Sequence, residues 1–191
     1  MATGVLALWY VIDKRAQEHA GASVDHTVHM NTLLIRQDAE NRLLALDRLA
    51  RRALTDREPS QVDWEADARS HLNDMPGLLA LQWLDAEFST RWRVAHADNK
   101  ADVDDLGSAP AVRAAIATAR ESGTQVFSEE FARDAGAPRV VIVVPVFHHA
   151  ELEGVIAGVL EPGQWLEAVI GGVQSNDHHL EVLLESHAVY H

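Results

Sequence analysis

The chain has 191 residues, 47% of them hydrophobic, which is enough for one ordinary domain or two small ones with a sizeable core and excludes disorder as the main state. Its 29 acidic against 16 basic residues leave a net charge of -13, with no positive excess to hold a phosphate backbone or an anionic lipid surface, so nucleic acid is excluded as a partner. There is no cysteine, which removes disulfides, thiol catalysis and thiolate metal sites while leaving the compartment open.

No segment reaches the roughly 20 apolar residues that span a bilayer. The nearest, Val5-Leu6-Ala7-Leu8-Trp9-Tyr10-Val11-Ile12, stops at Asp13-Lys14-Arg15. It reads either as a buried turn or two of helix or as the end of a membrane helix with an aromatic pair near the interface. From about Tyr10 to Arg57 no proline occurs and only Gly21 interrupts a stretch rich in Ala, Leu, Arg, Gln and Glu, which predicts one long helix. Val24, Val28, Leu34 or Ile35, Leu46, Leu49 and Ala53 supply the apolar stripe, and Asn31, Asp38 and Arg42 interrupt it. A helix of ~35 residues is ~50 Å long, more than one small domain covers, so part of it projects or pairs with a second copy.

Glu58-Pro59-Ser60 ends this helix, and Ser60 is placed to cap a second one with Trp64, Ala68 and Leu72 on its inner face. After Pro76-Gly77 the period changes to two. Leu78–Leu84 and Thr90–Ala95 read as a β-hairpin joined by about five residues, with Trp92 and Val94 alternating with Arg91 and Arg93. The aspartate-rich segment 96–107 reads as a solvated loop. Ser108 is expected to cap a helix that has Pro110 in its first turn, Val112, Ala115, Ile116 and Ala119 inside, and Gly123 at its end. Strands are expected at Thr124–Phe131, Arg139–Phe147 and Leu152–Leu160, the middle one central in the sheet, with Pro145 at a bulge or an edge. Pro162-Gly163 opens a helix to Ile170, and Leu180–Leu184 with Ala188–Tyr190 forms a last hairpin. This order predicts an α+β fold: a long N-terminal helix, then a mainly antiparallel five-stranded sheet with flanking helices.

Two segments carry a resemblance. Met75-Pro76-Gly77-Leu78-Leu79-Ala80-Leu81-Gln82-Trp83-Leu84-Asp85 with Arg91-Trp92-Arg93-Val94 is similar to the entry hairpin of CHASE domains. Val143-Val144-Pro145-Val146 with Leu152-Glu153-Gly154-Val155-Ile156-Ala157-Gly158-Val159 resembles the last strand pair of the PAS-like Cache and CHASE sensors of bacterial receptors. The likeness spans about Leu33 to Val189 by element order. It implies a signalling and dimerisation helix over 1–57 (with 1–12 as a membrane-helix end), a sensor domain over 58–172, and a terminal hairpin over 173–191 that opens a second PAS-like unit. It further implies a periplasmic, ligand-sensing portion of a histidine kinase, a diguanylate cyclase or a chemoreceptor, homodimeric through the long helix. Membrane attachment would run through segments outside this chain, and the catalytic output would lie elsewhere.

No nucleophile elbow, zinc-binding His-Glu-x-x-His, phosphate-binding glycine loop or dinucleotide fingerprint is present, so neither catalytic residues nor a cofactor are expected. His26 with His29, His148-His149 and Asp177-His178-His179 read as surface histidines rather than metal ligands. The expected ligand site is Trp83, Arg91, Trp92, Arg93, Phe127 and Arg139, because a pocket needs apolar walls with a few placed polar groups, and arginine beside indole both grips a carboxylate and stacks on a ring. Two rivals to the sensor reading are a self-associating structural domain without a ligand and, last, a metal-dependent enzyme.

Overall fold

The computed structural model describes residues 27–52, 60–97, 106–129, 131, 137–149, 151–171, 182–184 and 187–190. Helix α1 covers residues 27–52, within the stretch expected from the sequence to be one long helix. The apolar run 5–12, the pair Asp25-His26 and the histidines at 178 and 179 lie outside the described residues. Among those that are described, no helix is long and apolar enough to cross a membrane. After α1 come α2 (Gln61–Asp74), β1 (Leu78–Asp85), β2 (Thr90–Ala95), a 3-10 turn (Leu106–Ser108) and α3 (Pro110–Ser122). These are followed by β3 (Val126–Phe127), β4 (Val140–His148), β5 (Glu151–Leu160), α4 (Pro162–Ile170), β6 (Val182–Leu184) and β7 (His187–Tyr190).

Five strands form one antiparallel sheet in the order β2-β1-β5-β4-β3, and β6 with β7 makes a separate two-stranded ribbon. The α+β class and the PAS-like arrangement expected from the sequence are thus present. The middle of the sheet is β5, while the all-apolar β4 lies next to the edge strand. Both faces are covered. On one, Leu46, Leu49 and Ala50 of α1 and Trp64, Ala68 and Leu72 of α2 meet Leu78, Leu81, Trp83, Ile142, Ile156 and Leu160. On the other, Val112, Ala115, Ile116 and Ala119 of α3 meet Leu84, Val141, Val143, Val155 and Val159. Strand β5 supplies alternate residues to each face, as the two-residue period demands.

Three local details depart from the sequence reading. Ser108 does not cap α3: it closes the 3-10 turn, Ala109 takes the N-cap position, and no side chain caps the helix. By contrast, Ser60 caps α2 by accepting from the backbone N–H of Asp63. Strand β3 is only two residues long because the Ser128 side chain replaces the ladder. Its hydroxyl accepts from the Val141 N–H at 2.9 Å, and the Ser128 N–H donates to the Val141 carbonyl at 2.8 Å. That exchange turns Val141 toward β3, and by alternation Val143 and Pro145 face the same way. Beyond the short β3, Pro145 therefore has no ladder partner to disappoint, which is why a proline sits in an interior strand. Finally, α1 buries Asn31 and Arg42 and leaves Val28 49% exposed. The polar residues expected to interrupt the stripe lie within its buried side.

Two glycines of β5 make room for close neighbours, side chains at one and backbone at the other. A Cβ on Gly158 would lie 3.3 Å from Leu46, Leu78 and Leu81, so α1 approaches the sheet over a residue with no side chain. At Gly154, φ is +156° and a Cβ would lie 2.1 Å from the Leu84 carbonyl oxygen. Gly154→Ala is therefore expected to destabilise the fold by about 3 kcal/mol or more, because strain and overlap add. Urea unfolding checks this. An alanine variant as stable as the parent would contradict the close approach of β5 to β1.

Candidate functional site

The six residues expected to form one pocket are divided among three places. Trp83 on β1 and Trp92 on β2 are directly paired and share the α2 face, with ring centroids 5.2 Å apart. Trp64, which the sequence reading left out, joins them from α2 at 6.3 Å from Trp83 and 5.9 Å from Trp92. Simple alternation would put Arg91 on the opposite face. The register instead slips by one residue between the Trp83–Trp92 and Leu84–Thr90 pairs, leaving Arg91 at a bulge. Its guanidinium carbon consequently lies 4.6 Å from the Trp92 ring centroid and 5.5 Å from that of Trp83. Cation–π contacts of this kind contribute ~0.5–1 kcal/mol at exposed positions. The indole N–H groups of Trp64 and Trp83 are buried without a hydrogen-bond partner among the described residues.

Arg93 belongs to the α3 face. It sits opposite Gln82, which is fully buried there, and Thr90 donates its hydroxyl to the Gln82 side-chain oxygen at 3.4 Å. Phe127 and Arg139 lie across the sheet, roughly 19 Å away by four strand spacings. Phe127 pairs with Ile142 and is 40% exposed, and Arg139 exchanges both backbone hydrogen bonds with Phe131. Trp83, Trp92 and Arg91 are therefore brought together, whereas Arg93, Phe127 and Arg139 are not brought to them.

The α3 face of the sheet is filled by side chains, and its open space lies at the margin. Beside the β1–β2 turn is a groove of about 520 Å³ lined by Glu87, Phe88, Ser89, Thr90, Gly107, Ser108 and Arg113. The turn that shapes it is fixed by Asp85, whose carboxylate accepts from the N–H groups of Glu87 and Ser89 at 3.1 and 2.9 Å. Phe88 takes a left-handed conformation, with φ of 64°. The α3 N-terminus adjoins Ser108, with its first N–H groups free of any side-chain cap, and such an end is favourable to negative charge. The groove thus offers one carboxylate, one guanidinium, three hydroxyls and an aromatic edge. Glu87, Ser108 and Arg113 were not singled out from the sequence, and only their meeting at one opening marks them.

No family model matches the chain, and no curated protein matches it. Solved structures with a similar fold are ligand-binding domains of bacterial chemoreceptors. That of the Pseudomonas aeruginosa PAO1 amino acid chemoreceptor PctC, in complex with GABA, has a TM-score of 0.55 at 18% identity, over 76% of this chain and 65% of that one. The Pseudomonas fluorescens chemoreceptor CtaA domain with L-isoleucine gives 0.53 at 17%, over 86% and 63%. The P. aeruginosa PctB domain with L-Arg gives 0.52 at 18%, over 76% and 57%. The chain therefore spans between about half and two thirds of these structures, and at such identity the shared property is the fold.

One titratable group lies between α1 and α2, behind the tryptophan cluster. His71 is half-buried, and desolvation lowers its pKa below the ordinary 6.5, with Arg52 and Arg48 of α1 adding to the effect and Asp67 and Asp74 of α2 opposing it. Arg52 also donates to Asp67 at 2.9 Å, tying the two helices. Because the folded protein holds neutral imidazole more strongly than the unfolded chain does, this group's contribution is complete above pH 6.5 and is lost as pH falls below it toward the lowered pKa. The melting temperature is expected to fall as pH is lowered from about 7.5 to 5, and His71→Gln to flatten that part of the profile. An identical slope in the variant would assign the acid sensitivity to other groups.

Proposed function

We propose that this chain is the extracytoplasmic ligand-sensing part of a bacterial transmembrane receptor and that its ligand is a small amino-carboxylate, of the α- or ω-amino-acid type. The observation that carries the reading is the presence of Arg113 and Glu87 on the lining of one groove. A guanidinium takes a carboxylate in a bidentate fork, and a carboxylate takes an ammonium group, so the two together select a zwitterion over a simple acid or amine. Ser89, Thr90 and Ser108 supply hydroxyls for the remaining positions, and the α3 N-terminus favours the carboxylate end. The amino-acid ligands of the structural neighbours support the same class. Arg93, opposite Gln82 on this face, stands outside the lining of the groove. Trp83, Trp92 and Arg91 stiffen the hairpin that carries its rim. Phe127 and Arg139 belong to the far edge and have no contact with the proposed ligand.

In this reading the protein is periplasmic, membrane attachment lies in segments outside the chain, and the output is a histidine kinase, a cyclic-di-GMP enzyme or a chemotaxis module. Signalling is a shift between two arrangements of which the ligand prefers one, passed to a homodimer through α1. A second reading, self-association without a ligand, draws on a different observation. Leu33 and Leu44 on α1 are 46% and 56% exposed, which is unusual for leucines on a helix whose other side is buried.

GABA, L-isoleucine and L-arginine are the probes for a thermal-shift titration. At a hundredfold excess over the dissociation constant, a binder is expected to raise the melting temperature by about 5–10 °C. Arg113→Ala should abolish the shift while leaving the unliganded melting temperature nearly unchanged. Indifference to all three probes would remove the amino-acid class. Sedimentation of the Leu33→Glu, Leu44→Glu double variant addresses α1: a dimer that becomes a monomer supports pairing through this helix, and an unchanged dimer places the interface elsewhere.

A further inference from the structure

The junction of α1 and α4 contains a polar contact built against ordinary packing economy. Trp165 on α4 donates its indole N–H to the Asp38 carboxylate of α1 at 2.6 Å, and the same oxygen accepts from Nε of Arg42 one turn on. The Arg42 side chain is 5% exposed, and its guanidinium lies 5.5 Å from the Trp165 ring centroid. Its Nη1 nevertheless has no hydrogen-bond partner among the described residues. A buried guanidinium with an unmet donor is costly, and apolar side chains of similar size often serve stability as well or better.

The contact is also mechanically loaded from the sheet. Gly77, at the mouth of β1, has φ of +79°, and a Cβ there would lie 2.6 Å from the Trp165 backbone nitrogen. The Gly77 carbonyl accepts from Glu161 N–H at 2.8 Å, just before α4 begins. A displacement of β1 therefore reaches Trp165 through its own backbone, and reaches α1 both through the Asp38 carboxylate and through Leu46, packed with Leu78 and Leu81 over Gly158. Beside the contact runs a groove of about 300 Å³ between α1 and α4, walled by Leu34, Val169 and the amide side chains of Gln37 and Asn41. Arg42 lines this groove as well, which brings it to the same opening as two amide side chains, the alternative acceptors for its unmet N–H.

We infer that Asp38, Arg42 and Trp165 form a latch with two arrangements: one in which α4 is pinned to α1 through the shared carboxylate, and one in which Trp165 is released and Arg42 turns to the amides of the groove. The first satisfies Trp165 and leaves Arg42 short of a partner; the second does the reverse. Neither satisfies every donor, so the gap between them is small, which is the requirement for a switching element. The inference rests on the sensor reading for its purpose but not for its geometry.

The absence of cysteine makes a spin-label distance measurement direct, since Glu40→Cys with Glu167→Cys gives one exposed labelled pair spanning the two helices. The expected result in an otherwise native chain is a dominant distance with a second, minor one of roughly 1–10%. Trp165→Phe, which keeps the ring and removes the donor, should make the second distance the major one. Replacing the ion pair by Asp38→Leu with Arg42→Met should collapse the distribution to a single narrow distance. One distance that stays the same in all three proteins would overturn the latch and leave a static strut. If Trp165→Phe fails to fold, Asp38→Ala carries the same expectation, since it removes the acceptor that pins Trp165. No ligand is added, so a failed amino-acid titration and a failed latch are separate results.

Discussion

How closely α1 can lie against β5 governs the rest of the molecule. A five-stranded sheet buried on both faces needs one covering element that crosses most of its width, and here α1 and α2 together meet that need on one side. The missing side chain of Gly158 is what admits Leu46 to the sheet surface between Leu78 and Leu81. Burying leucines such as Leu46 and Leu49 contributes about 1.5–3 kcal/mol each, and that gain offsets the cost of burying Arg42 and Asn31 on the same helix. With α1 in place, α4 is positioned against it, and the groove and polar contact between the two helices follow. The α3 face is the simpler half, an amphipathic helix of small residues laid over valines.

The consequence for function is a division of labour between the faces. The α1 face contains the tryptophan cluster and the buried charge, with open space at its α4 end. The α3 face is filled in its middle and open at its margin, where the β1–β2 turn, the 3-10 turn and the start of α3 leave a groove bearing charges of both signs. A ligand held at that margin, as proposed, would touch the hairpin directly, and the hairpin's first strand starts just after Gly77, the residue pressed against α4. In the proposed reading, ligand chemistry and helix position are linked through strand β1.

Much of this was legible from the residues alone, where the signal is local. Pro76-Gly77, the alternation of Trp92 and Val94 with arginine, and the apolar runs of β4 and β5 gave the strands nearly to the residue, and Ser60 gave the start of α2. What was illegible depends on partners far along the chain. Asp38 reads as a break in a stripe until Trp165, 127 residues later, is known to meet it. Arg91 follows alternation on paper, and only the slipped register moves it to the tryptophans. The end of β3 is decided by a serine hydroxyl that substitutes for a peptide group, a choice no periodicity records. The groove escaped for the same reason: Glu87 and Arg113 are ordinary surface residues in sequence and become a pair only when a turn and a helix are folded together.

The notch at Gly158 also limits how α1 can move. Leu46 sits in it as a key does in a lock, so sliding the helix along its axis, even by one turn of ~5.4 Å, requires that side chain to climb onto the flanking Ile156 or Leu160. Tilting or rolling about Leu46 spares that side chain the climb and asks only smaller slides of Leu49 and Ala50, which pack on the same face. The fold thereby supplies a fulcrum, and a small displacement at the α4 end is magnified along the lever arm toward the far end of the helix.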